Sequence, residues 1–390
     1  MTLNTGALLQ RPFLPTLDNG PANPLASEAG NGGDRLGIEG GGITLVGQTF
    51  RFRLQDGVTN GAIYALLGLA LVLVFAVTRV ILIPQGEFVT YGALTYAMLA
   101  VGRVPGTVWL AVLMGAVAFV IDLWAMRAVL SARRVLRATL LYVALPVAIL
   151  LLTTALTSPQ NGIALNLLLS LIVVAPLGPY LYRIAFQPMA EASVLTLLIA
   201  SVGAHLALIG LGLIFFGAEG LRGPAFSSAS LPLGPLVVTG QNIGIYAVTL
   251  LLIVALWLFF ERTVYGKALR ATAINRVGAR LVGIRTSLSG QLAFLLAAII
   301  GAISGILIVP ITTIYYDTGF LIGLKGFVAA IIGGLASYPL TALAAIVVGC
   351  VEAYSSFEAS NFKEVIVFTL LLPVLLLRSL KAPAVEEDHD

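Results

Sequence analysis

From residue 57 onward, long apolar runs alternate with short polar or basic breaks. The runs cover 57–83, 87–102, 105–129, 138–157, 163–185, 193–216, 243–260, 290–313, 320–336, 340–357 and 363–379. Most reach the length of about 20 helical residues that crosses a hydrocarbon core, and Gly and Pro lie inside them, as helix packing in lipid allows. The pattern predicts an all-α fold, a polytopic transmembrane helix bundle of about 10–11 membrane segments. Pro84 and Gly86 lie between the first two runs, beside Glu87. A re-entrant or broken helix is therefore expected there, since a local break frees backbone groups that need polar surroundings.

Outside the apolar region the pattern changes. Residues 1–53 carry the Gly-, Asn- and Pro-rich stretch "NGPANPLASEAGNGGDRLGIEGGG", which has too few apolar residues for a core and reads as a flexible tail. Its start, "MTLNTGALLQRPFLP", lacks the basic head and continuous apolar run of a signal peptide. Residues 54–380 form the transmembrane domain, and 381–390 an acidic C-terminal tail.

Composition agrees with this division. Hydrophobic residues make up 59% of the 390 and charged residues 10%, with a mean hydropathy of +1.01, beyond what a soluble domain can cover with polar surface. The single cysteine, Cys350, lies in an apolar run. It offers neither a disulfide framework nor a Cys-based metal site, and reads as a small packed residue. The net charge of +4 comes from basic residues clustered beside spans, which the positive-inside bias explains without nucleic acid.

That bias sets an orientation. Arg127, Arg133, Arg134 and Arg137 mark one cytoplasmic loop, and Arg378 with Lys381 places the C-terminus on the same side. Arg51 and Arg53 argue for a cytoplasmic start as well, while the span count before Arg127 depends on whether 84–90 crosses fully. The densest cluster is "RTVYGKALRATAINRVGARLVGIR", where Arg262, Lys267, Arg270, Arg276, Arg280 and Arg285 occur without an acid. Leu269, Ala273, Val277, Leu281 and Ile284 recur at helical spacing, predicting amphipathic helices with these residues on one face. Three roles fit: an orientation signal that meets anionic lipid, a peripheral anchor, or a docking helix for a cytosolic protein.

At these residues the chain resembles a known family. "GKALRATAINRVGARLVGI" is similar to the cytoplasmic coupling segment, here 261–288, of the permeases of high-affinity branched-chain amino-acid ABC importers (the LivH type). Gly266, Ala268, Arg270, Ala271, Asn275, Ala279, Gly283 and Ile284 stand at the pattern's positions. "GVTNGAIYALLGLALVLVFAVTRVILIPQGEFVTYGA", "YRIAFQPM", "TGFLIGLKGFVAAIIGGLAS" and "VVGCVEAYSS" resemble further blocks, so that the likeness covers most of 55–380. Two departures stand out. "LIPQGE" replaces the family's "NFAHGE", keeping Gly86 and Glu87 but placing Gln85 at the histidine position, and 105–157 reads as if a helical pair had been inserted.

The resemblance implies a multi-pass permease subunit of the bacterial inner membrane. It would pair with a second permease subunit, identical or paralogous, receive substrate from a periplasmic binding protein, and be driven by cytosolic ABC ATPase subunits. The coupling residues it implies are Gly266, Arg270, Ala271, Asn275, Arg276, Ala279, Gly283 and Ile284, with Arg270 and Arg276 orienting the segment at the rim of an ATPase groove. The chain has no Gly-x4-Gly-Lys-Ser/Thr loop, so the expectation is a transporter subunit and not an enzyme, with ATP used by the partner and no cofactor on this chain. Branched-chain amino acids, other amino acids, amides and urea remain open as substrates.

Ionisable residues inside spans are costly in lipid and point to partners or cavities. The translocation candidates are Tyr64, Gln85, Gly86, Glu87, Lys325 and Glu352. Glu87 either faces a pathway or caps amides at a helix end. Lys325 either pairs with Glu352 across neighbouring helices or snorkels to an interface; Asp317 and Glu358 are grouped with them. Tyr64 lines a pore or packs. Asp122, five residues before Arg127, is given a structural role, and His205 one interhelical hydrogen bond. No nucleophile–base pair or metal cluster emerges. An ion-coupled secondary transporter, with broken helices and buried acids of its own, is the main competitor, and a passive channel for a small neutral solute is a third class; energy source separates them.

Overall fold

The computed structural model describes residues 35–127, 131–227, 229–233 and 236–381. The chain divides into two units, Met1–Gly47 and Gln48–Asp390. In the first, the described backbone from Arg35 onward is helical; residues 1–34 of the expected tail, and 382–390 of the acidic tail, lie outside the described residues. The second unit is the bundle.

Its helices follow the apolar runs. The bundle opens with the part of α1 (Arg35–Thr78) from Gln48 onward, then α2 (Gln85–Ala100), α3 (Thr107–Met126), α4 (Ala132–Thr139), α5 (Leu145–Leu156), α6 (Ile163–Val174), α7 (Leu177–Leu181) and α8 (Val194–Phe216). A two-stranded hairpin follows, β1 (Ser230–Leu233) pairing antiparallel with β2 (Leu236–Thr239). Then come α9 (Gly240–Arg262), α10 (Val264–Ile274), α11 (Arg276–Leu281), α12 (Thr286–Ile308), α13 (Thr318–Ile332), α14 (Tyr338–Glu358), α15 (Lys363–Thr369) and α16 (Leu371–Lys381). Pro146 can neither donate to the turn before it nor avoid its carbonyl, and between α4 and α5 the helix widens by a π-type turn over Leu140–Ala144. Among the described residues, nine helical stretches, starting with Phe50–Thr78 of α1, are long and apolar enough to cross a membrane by themselves. This is a multi-pass membrane protein.

Two apolar helices are too short to cross alone. At 1.5 Å per residue α2 and α13 are about 24 and about 22 Å long, against about 30 Å of hydrocarbon. They pack on each other through glycine. A Cβ on Gly86 would collide with the Gly319 carbonyl and one on Gly319 with the Gly86 carbonyl, while a Cβ on Gly323 would come within 2.9 Å of Gly86. α2 also lies parallel to α12, with Gly301 against Phe88, Gly92 against Ala302 and Gly305 against the Val89 carbonyl. Gln85 donates from Nε2 to the Ala297 carbonyl at 3.1 Å, at the midpoint of α12. The first residue of α2 therefore sits at mid-depth, and 79–84 is the return from the end of α1. The reversal begins at Arg79, a non-glycine residue at φ 61°, with Thr78 Oγ1 accepting from the Val80 amide at 3.3 Å. The broken helix expected around Pro84 is present.

Helix directions correct the expectation drawn from Arg51 and Arg53. α1 runs antiparallel to α14, with Gly57 against Cys350, Gly61 against Ile346 and Gly68 against Thr341. Arg53 donates to Glu358 at the end of α14 at 2.8 Å, whereas the start of α14 lies beside the basic segment, where Tyr338 packs on Phe260 with ring centroids 6.0 Å apart. Arg51 and Arg53 thus lie at the end of the bundle opposite to 262–285. The reason is that α1, the half-helix α2 and α3 together make an odd number of passages, and short-range charge counting cannot see a helix that starts at mid-depth.

Candidate functional site

Two buried polar clusters lie on either side of α13. The first is built around the start of α2. Glu87, in its first turn, meets the partial positive charge of a helix N-terminus, and its Oε1 lies 2.8 Å from Nδ1 of His205 on α8. Both side chains are buried, and the imidazole stacks at 4.3 Å on Phe320 of α13. The single interhelical hydrogen bond expected of His205 is this one. Gln85 Oε1 and Glu87 Oε2 are buried and accept no hydrogen bond among the described residues, so the cluster keeps acceptor capacity.

The second cluster joins α1, α13, α14 and α15. Lys325 Nζ pairs with Glu352 and, at 3.1 Å, with Glu364. Tyr64 donates its hydroxyl to the other oxygen of Glu352. Lys325 pairs across helices and does not snorkel, with a side chain only 6% exposed. Two acids face one base here. Glu358, grouped with these residues on sequence grounds, instead holds Arg53, and Asp317 occupies the N-cap of α13 without a side-chain capping bond. Glu364 went unnoticed because it sits in "SNFKEVIVF", between polar and apolar runs, where nothing marks a partner for Lys325. Asp122 has the structural role expected of it, pairing with Arg183. Of the six translocation candidates, Glu87 thus meets His205 while the adjacent Gln85 and Gly86 contact α12 and α13, and Tyr64, Lys325 and Glu352 meet in the cluster that Glu364 joins.

The basic segment forms short helices, as expected, but Leu269 to Ile284 do not share the single apolar face expected of them. Thr263 caps α10 by accepting from the Gly266 amide at 2.9 Å. Asn275 ends it and caps α11, accepting from the Gly278 amide at 2.8 Å. α11 closes with Gly283 at φ 84°, where the Gly283 amide reaches the Arg280 carbonyl and the Ile284 amide the Ala279 carbonyl, the paired bonds of a Schellman end. The break at Asn275 rotates one helix relative to the other. Leu269 is buried, whereas Ile274 and Leu281 are each 83% exposed and Val277 67%.

The coupling residues implied by the resemblance therefore set shape. Asn275, Ala279, Gly283 and Ile284 define the ends of α11; Gly266, where a Cβ would strike the Phe259 carbonyl, lets α10 fold against α9; Ala271, on α10, is half-buried. Arg270 and Arg276 are engaged within the chain. Arg270 donates to Glu261 at 2.9 Å and Arg276 to the Ala190 carbonyl at 2.9 Å. Arg280 adds a bond to Glu191, and this guanidinium holds the exposed Glu191 carboxyl below the usual carboxylate range. Beside exposed basic residues, an apolar set also faces outward, Val264, Ile274, Val277, Leu281 and Val282, on helices stapled to the bundle. The sequence signal for it was Asn275, a strong N-cap residue in the middle of a helical pattern.

Residues 147–375 match the family described as branched-chain amino acid transport system, permease component. The high-affinity branched-chain amino acid transport system permease protein BraD of Pseudomonas aeruginosa is 29% identical over 216 residues, 54% of this chain and 70% of that protein. LivH of Escherichia coli is 28% identical over 215 residues, 53% of this chain and 70% of the relative. The autoinducer 2 import system permease protein LsrC of Yersinia enterocolitica is 31% identical over 139 residues, 35% of this chain and 38% of the relative. No solved structure matches. The family match begins within α5, so it includes the basic segment and Lys325, Glu352 and Glu364 but not Tyr64 or the rest of α1 to α4, a shorter extent than the likeness over 55–380 implied. With more than half of its length matched, this chain belongs to the family of branched-chain amino acid transport permease components.

Proposed function

We propose that this protein is the membrane-spanning permease subunit of an ABC importer, moving branched-chain or related amino acids across the bacterial inner membrane while separate subunits hydrolyse ATP. The observation that carries this reading is the outward apolar set on α10 and α11, fixed to the bundle by Arg270, Arg276 and Arg280. Exposed apolar residues on rigid helices beside six basic residues suit docking into a groove of an ATPase. A contact that differs between two ATPase states biases the permease between two conformations; equal contact shifts nothing. Because the staples tie α10 and α11 to α9 and to the 187–193 turn, movement of the docked pair is passed to the spans ending there.

The pathway in this reading runs past α13. A zwitterionic amino acid needs partners for both charges away from water, and the two clusters around Glu87 and Lys325 supply buried carboxylates and a cation. Tyr64, Gln85, Gly86, Glu87, Lys325 and Glu352 are its proposed lining. A periplasmic binding protein and a second permease subunit complete the assembly.

Reconstitution with the ATPase and binding protein tests the proposal through ATP-driven uptake of labelled leucine, with urea and a short amide as competitors. The double substitution Arg270→Glu with Gly283→Trp should abolish uptake and release the ATPase, as read by mass spectrometry of the purified complex. Uptake that continues with this variant refutes the docking role. Uptake that needs no ATPase and collapses when an ionophore dissipates the ion gradient would establish a secondary carrier instead.

A further inference from the structure

At the basic end, α9 leans away from α1. The two are joined at the opposite end, where Thr59 and Tyr246 share a hydrogen bond of 2.7 Å, and the gap between them widens into a cleft of about 660 Å³. Leu73 and Val77 of α1, Val254 and Trp257 of α9, and Leu269 and Ala273 of α10 line it. Its charged lining groups are Glu261 and Arg270, which pair with each other. The volume falls in the range of small-molecule sites.

We infer that this cleft binds one acyl chain of an anionic phospholipid, with the headgroup held by Arg262 and Lys267. Three observations identify the occupant. First, the outer side of α9 exposes Leu250, Leu251, Trp257 and Leu258 within a membrane-crossing helix, so the cleft opens on lipid and not on water. Second, apart from the paired Glu261 and Arg270 the lining is apolar or aromatic, which suits a hydrocarbon chain. Third, two basic residues outside the lining are close to it along the chain. Glu261 is neutralised by Arg270, and the exposed Arg262 and Lys267, one beside Glu261 and the other a helix neighbour of Arg270, make no ion pair among the described residues. Basic groups beside an apolar slot at a membrane end select anionic headgroups, and Trp257 suits the interfacial level. The inference needs only the membrane placement of the chain, not its transport activity.

Trp257 reports on the site directly. The chain has three tryptophans, and Trp109→Phe with Trp124→Phe leaves Trp257 as the one emitter. The full chain in nanodiscs of phosphatidylcholine is mixed with increasing fractions of dibrominated phosphatidylglycerol or dibrominated phosphatidylcholine, and the quenching of Trp257 is measured. Phosphatidylglycerol should reach half-maximal quenching at a several-fold lower fraction. Arg262→Gln or Lys267→Gln should each weaken it by roughly fivefold, and both together should erase the preference. Ala273→Phe, which fills the slot, should lower quenching by both lipids. Because Arg262 and Lys267 are exposed, their variants keep the fold, which an unchanged melting curve verifies. Equal quenching by the two lipids overturns the inference, and so does no quenching by either, the result expected if a second protein covers the cleft.

Discussion

Lys325 and Glu352 are each close to fully buried, and removing one partner leaves the other as an unpaired charge at low dielectric. Lys325→Met should therefore destabilise the protein by about 3–5 kcal/mol, whereas Lys325→Met combined with Glu352→Gln should recover much of that loss. Thermal unfolding in detergent of the two variants beside the parent checks both halves. A contrasting case is Glu191, whose carboxyl Arg280 holds below its ordinary range at an exposed position. A lowered folded value means the tie is fully present above about pH 4.3, the unperturbed carboxylate value, and is lost as pH falls through the lowered one. A spin label at Val277→Cys in a Cys350→Ala background should keep constant mobility from neutral pH to that point and loosen below it. With Glu191→Gln the label should be loose at every pH. At this scale the pairing of Lys325 with Glu352 was legible, since two opposite charges in spans require partners. Glu364 was not, because its partner comes from a helix distant in sequence.

The break between α10 and α11 is the element that shapes the exposed apolar set. It depends on one side chain. Asn275→Ala removes the N-cap bond to Gly278, at a cost of about 1 kcal/mol, and should raise hydrogen exchange across 276–283 while leaving α12 unchanged. A similar argument applies to α2 and α12. A Cβ at Gly305 would overlap the Val89 carbonyl, backbone that cannot swing aside, so Gly305→Ala should separate the two helices and lower the melting temperature by several degrees. Periodicity located the helices because each span must satisfy its backbone internally. It misjudged the basic segment, where a helical repeat of apolar residues continued across a cap, and the cap rotated the second half of the pattern outward.

For the whole molecule the question is which ends share a side. Single cysteines at Arg51→Cys and Val277→Cys, again with Cys350→Ala, should react with a membrane-impermeant maleimide in vesicles of opposite orientation. Labelling of both in one preparation would restore the same-side start that Arg51 and Arg53 suggested. The arrangement follows from α2, which enters the count as a passage although its first residue lies at mid-depth against Ala297. The inserted-looking stretch 105–157 adds α3, α4 and α5, two further passages that preserve the direction of everything after them.

The sequence by itself determined the class of protein, the succession of spans and the position of the basic segment, because burial in lipid makes hydrophobicity nearly the sole local requirement and concentrates charge at the ends. It also carried the family resemblance in the pattern from Gly266 to Ile284. Only the tertiary structure decided which buried charges meet, that His205 serves Glu87, that α2 begins at mid-depth, and that Val277 and Leu281 point outward. Each depends on contacts between helices far apart along the chain or on a cap that rotates one helix against the next, and neither leaves a periodic trace.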